Sequence, residues 1–174
     1  MMPRLIFLIL LLAFALAVPA LAQQDELAQM APLVGKTWRS EGVDDQGKSM
    51  VDVSRWEWIL GGRAIRIVHS LNQGAYGGQT TVYPDPKGDG FRFHYVTTGG
   101  FVTEGRIAIE GGVMTATEAV TGHPEITQVK SISRLVDGVL QSRSHYLRNG
   151  EWIPGLSFDD REAPEAEPVF DPIR

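Results

Sequence analysis

The chain has 174 residues, with 16 basic and 21 acidic side chains, a net charge of −5, 19 glycines and no cysteine. This length predicts one domain, and the acidic balance argues against a nucleic-acid-binding protein, because neutralising phosphates needs a concentrated basic face. The lack of cysteine excludes disulfides, thiolate metal ligands and a cysteine nucleophile.

Residues 1–22 have the layout of a secretory signal peptide. Arg4 precedes an apolar run over residues 5–18, and Ala20-Leu21-Ala22 forms a small-residue cleavage site. The run of roughly 14 residues is shorter than the ~20 that a transmembrane anchor needs. The sequence therefore predicts cleavage after Ala22, export to the periplasm or the outside, and a mature chain without a membrane span.

A short helix and a long series of strands follow the signal peptide. Asp25 is placed to cap a helix over residues 25–31, which Pro32 ends. From Lys36 to about Phe158, runs of β-branched and aromatic residues alternate with turn signals. The clearest turn signals are Asp44-Asp45-Gln46-Gly47, Gly61-Gly62, Asn72-Gln73-Gly74, Gly99-Gly100, Gly111-Gly112, Asp137-Gly138 and Asn149-Gly150. Their spacing predicts about ten strands in up-and-down order.

An open sheet of ten strands would leave two unpaired edges. The predicted fold is therefore all-β: a closed up-and-down antiparallel barrel of about ten strands with one short N-terminal helix. A two-sheet sandwich is the alternative. Period-two alternation assigns aromatic positions to the interior. The positions assigned inward in this way are Trp56, Trp58, Leu60, Ile65, Ile67, His69, Leu71, Phe91, Phe93 and Tyr95.

The predicted barrel domain covers residues 23–158, and residues 159–174 form a separate segment. This segment contains six acidic residues and three prolines. Because such a composition buries too little apolar surface to offset its ordering entropy, we predict a flexible acidic tail. The alternative is a strap that binds a protein partner, of unknown identity, through Val169 and Phe170.

The start of the predicted barrel carries a family resemblance. The segment Leu33-Val34-Gly35-Lys36-Thr37-Trp38 resembles the opening of the lipocalin-like, or calycin, barrels. In that family a Gly-x-Trp opens the first strand, the tryptophan closes one end, and a late basic residue packs across it. Here the spacing is Gly-x-x-Trp, and Arg161 is the nearest late basic residue. The segment Trp56 to Arg63 is also similar to uncharacterised bacterial exported barrel families. The resemblance implies a central cavity and no particular ligand.

Four side chains are the candidate cavity wall: Trp58, His69, Tyr95 and His145. His69 shares a predicted face with Ile67, and His145 shares one with Val139 and Leu147. Trp38 and Trp56 are assigned to core filling instead. An aromatic wall with a few polar groups is the usual composition of a small-molecule site.

The histidines do not predict a metal site. No two of them have the i, i+4 helical or i, i+2 strand spacing of a preformed site. His94 is predicted to face outward, and His123 to lie in a solvent-facing turn, Gly122-His123-Pro124. No cofactor is expected except, as one possibility, haem with His145 as its axial ligand, by analogy with related haem-binding barrels.

No sequence motif predicts an enzyme. The chain has no Gly-x-Ser-x-Gly elbow, phosphate loop, dinucleotide fingerprint or zinc-protease helix. Four carboxylates on predicted strands are compatible with a catalytic barrel if they point inward. The simpler interpretation is that they form a row of exposed charge pairs between strands. They are Asp52, Glu57, Glu104 and Glu118.

Three hypotheses for function remain. The first is an exported lipocalin-like barrel that binds a small hydrophobic or amphipathic ligand. The alternative is a structural or interaction protein of the cell envelope with a filled barrel. The third is a haem-binding or catalytic barrel. An open cavity of several hundred Å³ favours the first over the second.

Overall fold

A computed structural model describes residues 27–43, 48–88 and 90–170. Predictions for residues 1–26 and for the turn at residues 44–47 lie outside the described residues. The elements begin with a single 3₁₀ turn over Ala28–Met30, and a second 3₁₀ turn covers Asn72–Gly74. The strands are β1 (Lys36–Val43), β2 (Ser49–Ile59), β3 (Ala64–Leu71), β4 (Tyr76–Pro84), β5 (Phe91–Thr97), β6 (Val102–Glu110), β7 (Val113–Thr121), β8 (Ile126–Val136), β9 (Val139–Arg148) and β10 (Glu151–Glu162).

The strands form one closed antiparallel barrel. Each pairs with its neighbours in the chain, and β1 pairs with β10 to complete the ring. The predicted all-β, up-and-down, ten-stranded barrel is confirmed. The described part of the predicted N-terminal helix is a single 3₁₀ turn, shorter than expected. No helix in the described ranges is long and apolar enough to span a membrane.

The seam that closes the barrel is short. Among the described residues, β1 and β10 have two register pairs, Trp38 with Glu162 and Arg39 with Arg161. In contrast, β1 pairs with β2 along its whole length, from Lys36 opposite Trp56 to Val43 opposite Ser49. Backbone pairing at the seam is therefore the least extensive of the strand contacts that surround the interior.

Two apolar clusters fill one end of the barrel. One contains Leu33, Trp38 and Leu140. The other contains Leu27, Met30, Val34, Ile65, Val82, Phe91 and Phe93. Trp38 is 1% exposed, and its indole Nε1 donates to the carbonyl of Leu33 at 3.0 Å. The 3₁₀ turn and Trp38 therefore close this end, and the interior stays open beyond them.

A basic side chain does pack across Trp38, but it is an early one. Lys36 Nζ lies 5.4 Å from the centroid of the Trp38 ring and forms an ion pair with Glu162 at 3.0 Å. Arg161, the candidate for this position, pairs with Arg39 and so lies on the opposite face of β10 from Glu162. The cation therefore comes from the same strand as the tryptophan, two residues before it.

The chain beyond Phe158 continues the barrel. Strand β10 extends to Glu162, so the predicted domain boundary falls inside this strand. Residues 163–170, named the strap here, then cross the outer surface of the barrel. The backbone N–H of Ala163 donates to the carbonyl of Thr37 at 2.8 Å, and that of Val169 donates to Ser70 Oγ at 3.0 Å. The strap thus runs from β1 to β3.

The end of the strap lies against β4. Gly77 pairs with Ser70 on the outer face, and a Cβ at Gly77 would lie 2.9 Å from the Phe170 ring. The missing side chain at Gly77 leaves room for that ring. In the alternative prediction, Val169 and Phe170 bind another protein. In the structure they contact this protein's own barrel.

Candidate functional site

The barrel contains a cavity of about 700 Å³. This volume lies within the roughly 300–1,000 Å³ typical of small-molecule sites. Its wall is mostly apolar and aromatic, and its apolar and aromatic side chains include Trp56, Ile67, Val82, Phe93, Phe101, Ile107, Met114 and Tyr146. The wall also contains polar side chains, and the register of the strands determines which of them lie next to each other.

Four side chains on neighbouring strands form a continuous hydrogen-bonded row, named the polar row here. Asp52 Oδ1 lies 2.8 Å from His69 Nδ1, and His69 Nε2 lies 2.6 Å from the hydroxyl of Tyr95. The Tyr95 hydroxyl lies 2.8 Å from that of Tyr76. The row therefore crosses the barrel wall from β2 through β3 to β5 and back to β4.

A glycine allows this row to form. Gly78 on β4 lies directly opposite His69 on β3, so a side chain there would stand between His69 and β5. A Cβ at Gly78 would lie 2.5 Å from Cε2 of Tyr95. Because glycine has no Cβ, the Tyr95 ring lies over β4 and its hydroxyl reaches His69.

The chemistry of the row fixes one of its hydrogen-bond directions. A carboxylate only accepts, so His69 Nδ1 donates to Asp52. In the bonds between His69 Nε2 and Tyr95 and between Tyr95 and Tyr76, either atom can be the donor. Burial raises the pKa of both tyrosine hydroxyls above the ordinary value of 10.0. Both phenols therefore stay protonated and serve as neutral polar groups.

Glu118 is a second polar group in the wall. It lies on β7, lines the cavity, and accepts a hydrogen bond from the Thr103 hydroxyl of β6. Burial raises the pKa of this carboxyl. Burial also raises the pKa of Tyr146, and the charge of Glu118 adds to the shifts of Tyr76, Tyr95 and Tyr146. In the strand register, Thr103 lies opposite Tyr95, and Val129 lies opposite both Glu118 and Tyr146. The carboxylate and these phenols therefore lie on neighbouring parts of the cavity wall.

An aromatic group lies next to the polar row. Phe101 stacks on Tyr76 with ring centroids 6.2 Å apart, and the His123 ring packs edge-on against Phe101 at 5.2 Å. His123 Nδ1 accepts from the backbone N–H of Glu125 at 3.1 Å and of Ile126 at 3.0 Å. These bonds hold the ring in the wall. The expectation that His123 faces solvent from a turn is corrected, because the segment after β7 folds over the cavity.

The four predicted wall residues divide into two pairs. His69 and Tyr95 line the cavity, whereas Trp58 and His145 do not. Trp58 has the inward parity of Trp56, but it lies near the end of β2 and its side chain is 40% exposed. Trp56, assigned to core filling, lines the cavity in its place.

His145 faces outward, which corrects its predicted assignment. Its neighbour Tyr146 pairs with Val129, and both of these line the cavity. His145 therefore points to the other side of β9 and is exposed. The haem hypothesis loses the axial ligand on which it was based.

The carboxylates also divide by face. Asp52 and Glu118 point inward, but Glu57 accepts from Arg66 Nε at 2.9 Å on the outer surface. The Glu104 side chain is 61% exposed and lies 3.5 Å from His94, which faces outward as expected. Within the described ranges, no three His, Asp or Glu side chains are arranged to hold a metal ion.

Tyr76, Phe101 and Tyr146 are among the members of the site that the sequence did not predict. Tyr76 had a readable signal, because it lies two residues before Gly78 on the same strand and so shares its inward face. Phe101 follows the Gly99-Gly100 turn, outside any strand, where periodicity gives no direction.

The fold and the cavity together define a closed ten-stranded barrel with an internal site. No protein-family model matches the chain, and no curated protein sequence matches it. Among solved structures, the crystal structure of Rv2717c from M. tuberculosis is similar, with a TM-score of 0.57 and 15% sequence identity. The match covers 79% of this chain and 97% of that one. At this identity the similarity shows a shared fold alone.

Proposed function

We propose that this protein is a calycin-like binding barrel that holds a small, largely apolar molecule in its cavity. The observation that carries the proposal is the open interior of about 700 Å³ with its mostly apolar wall. A barrel with a purely structural role gains stability when such space is filled with side chains. The cavity therefore favours ligand binding over the filled-barrel alternative.

The polar row supports an amphipathic ligand rather than a plain hydrocarbon. Polar groups inside an apolar wall orient a bound molecule through its own polar end. Tyr76 ends the row, with its hydroxyl in the cavity wall. The polar end of the ligand is therefore assigned to the side of Tyr76, and its apolar part to the region of Met114 and Ile107.

Export is part of the same proposal. The basic start, apolar run and Ala20-Leu21-Ala22 site support secretion to the periplasm or outside. A barrel without cysteine needs no disulfide in that compartment. Haem is not assigned to the cavity, because His145 faces away from it.

Binding of the uncharged probe N-phenyl-1-naphthylamine tests the proposal. We expect its fluorescence to rise on mixing with the protein. Ala116 lies in the wall on β7, and Ala119 lies on the outer face of the same strand. Ala116→Trp fills the cavity and is expected to weaken probe binding at least about tenfold, whereas Ala119→Trp leaves it unchanged.

Val120→Trp, at a second wall position, repeats the test if Ala116→Trp does not fold. Circular dichroism establishes the fold of each variant. No fluorescence rise with the unsubstituted protein, or equal binding by the inward and outward tryptophan variants, overturns the proposal. Native mass spectrometry of protein purified from its own source then identifies the natural ligand.

A further inference from the structure

The charge of the cavity wall is one-sided. Among the described residues that line the cavity, Glu118 is an acid and none is a lysine or arginine. The two histidines in the wall are engaged: His69 through both ring nitrogens, and His123 through Nδ1. An anionic ligand would therefore enter without a cationic partner, which is costly in an apolar interior.

The surroundings of Glu118 suit a cation. Three phenol rings and the Phe101 ring line the same cavity. Aromatic faces attract cations, and recognition of ammonium groups by aromatic side chains is a recurrent use of this attraction. A carboxylate among the rings adds a full opposite charge in a region of low dielectric. Each element needed to hold an ammonium group is therefore present.

The state of Glu118 agrees with this arrangement. Burial raises the pKa of its carboxyl, and no cationic side chain among the described residues of the wall opposes this effect. The Thr103 hydroxyl donates a hydrogen bond to it. A bound cation would favour the ionised form and so supply the missing partner.

We propose that the cavity selects amphiphiles with an amine or quaternary ammonium head group, and that Glu118 recognises the positive charge. This inference rests on the proposed function, because it requires that the cavity binds a ligand. It names the class of that ligand: a cationic head with an apolar body. Fatty acids and other carboxylates are the class that the wall disfavours.

Calorimetric titration at pH 8 with three compounds that share a ten-carbon chain, each below its micelle concentration, tests the proposal. The compounds are decyltrimethylammonium, 1-decanol and decanoate. We expect the ammonium to bind at least about tenfold more tightly than decanoate, and the neutral alcohol to lie between them.

Glu118→Gln removes the charge and keeps the shape of the side chain. It is expected to weaken decyltrimethylammonium binding about tenfold and to leave decanol binding unchanged. Glu104→Gln is the matched control, since Glu104 lies on the outer face of the neighbouring strand β6. It is expected to leave all three affinities as they are.

The outcomes separate the two proposals. Decanoate binding as tightly as the ammonium, or an ammonium affinity that Glu118→Gln does not change, overturns the cationic selectivity while probe binding still supports the binding function. If neither the naphthylamine probe nor any of the three titrated compounds binds, both proposals fail. The ranking is measured on the unsubstituted protein, so it decides the matter even if Glu118→Gln does not fold.

Discussion

The polar row keeps a histidine and a carboxylate inside an apolar wall by giving each group a partner. Asp52 is 6% exposed, so its hydrogen bond from His69 replaces contact with water. A buried carboxylate that loses its donor has no solvent to replace it. His69 is therefore expected to matter more for stability than its apolar surface alone implies.

Replacing His69 tests this expectation. We expect His69→Ala to lower the free energy of unfolding by about 2–4 kcal/mol, because it leaves Asp52 buried without its partner. The outward His94→Ala is expected to change it by about 0.5 kcal/mol or less. Urea unfolding followed by circular dichroism measures both.

A double substitution identifies the cause. In an Asp52→Ala background, His69→Ala no longer leaves a buried carboxylate without its partner. The loss in free energy of unfolding that His69→Ala causes is therefore expected to fall by more than half. A similar loss for His69→Ala and His94→Ala, or the same loss with and without Asp52, would contradict this account of the polar row.

Residue patterns predicted some side-chain directions and missed others for a physical reason. His69 and Tyr95 follow unambiguous alternation with Ile67 and Phe93, and both line the cavity. On β9 both faces carry apolar residues: Leu140 and Tyr146 inward, Val139 and Leu147 on the opposite parity. The period of two then has no preferred phase, which is why the direction of His145 was misassigned.

At the scale of elements, local signals were sufficient for the hairpins. Asp137 and Gly138 have φ of 49° and 77°, the left-handed pair that a two-residue hairpin turn requires. The irregularity in β10 between Pro154 and Ser157 was not readable, because a bulge depends on the partner strand. Strand number and order were therefore predictable, and register was not.

The seam between β1 and β10 contains a buried pair of polar side chains, Ser40 and Asp160. Asp160 is 5% exposed, and neither its Oδ1 nor Ser40 Oγ has a hydrogen-bond partner in the described structure. Burial raises the pKa of Asp160 to about 6 from the ordinary 3.8. The charges of Asp52 and Asp159 add to this shift.

This raised pKa predicts a pH dependence of stability. The folded protein holds the Asp160 proton more tightly than the unfolded chain does, so this stabilisation is complete below pH 3.8 and is lost as the pH rises through about 6. The loss is on the order of 2–3 kcal/mol. Asp160→Asn is expected to reduce this slope to the part that the raised pKa of Glu118 contributes, and to be more stable than the unsubstituted protein at pH 8.

Asp159→Asn is the control for this prediction. Asp159 is the next residue of β10, lies on the outer face, and pairs with Arg143 at 2.6 Å. Urea unfolding at pH 4, 6 and 8 measures all three proteins. A slope that is not reduced in Asp160→Asn, or that disappears in Asp159→Asn, would show that Asp160 is not responsible for its share of the slope.

At the scale of the whole molecule, the strap joins the end of the described chain to strands formed near its beginning. It contacts Thr37 on β1, Ser70 on β3 and Gly77 on β4. Its acidic, proline-rich composition predicted a flexible tail, because that prediction considered only how much apolar surface the segment can bury. The two backbone N–H donors that attach the strap are common to any sequence, so no residue pattern reveals them.

Truncation after Glu162 measures the contribution of the strap. Removing it loses two hydrogen bonds and uncovers the outer surface around Ser70. We expect the free energy of unfolding to fall by about 2 kcal/mol, from roughly 1 kcal/mol per bond and a partly buried Phe170 ring. Because the strap lies outside the barrel, naphthylamine binding is expected to persist. An unchanged melting temperature would mean that the strap adds nothing to stability.

The seam also has a consequence for the folding of the chain. Trp38 and Glu162 pair across it although roughly 120 residues separate them in the chain. Until β10 pairs with β1, one edge of β1 is unpaired and is available to any other extended chain. For this protein the risk of aggregation therefore belongs to the incompletely folded chain, and it ends when the last strand pairs.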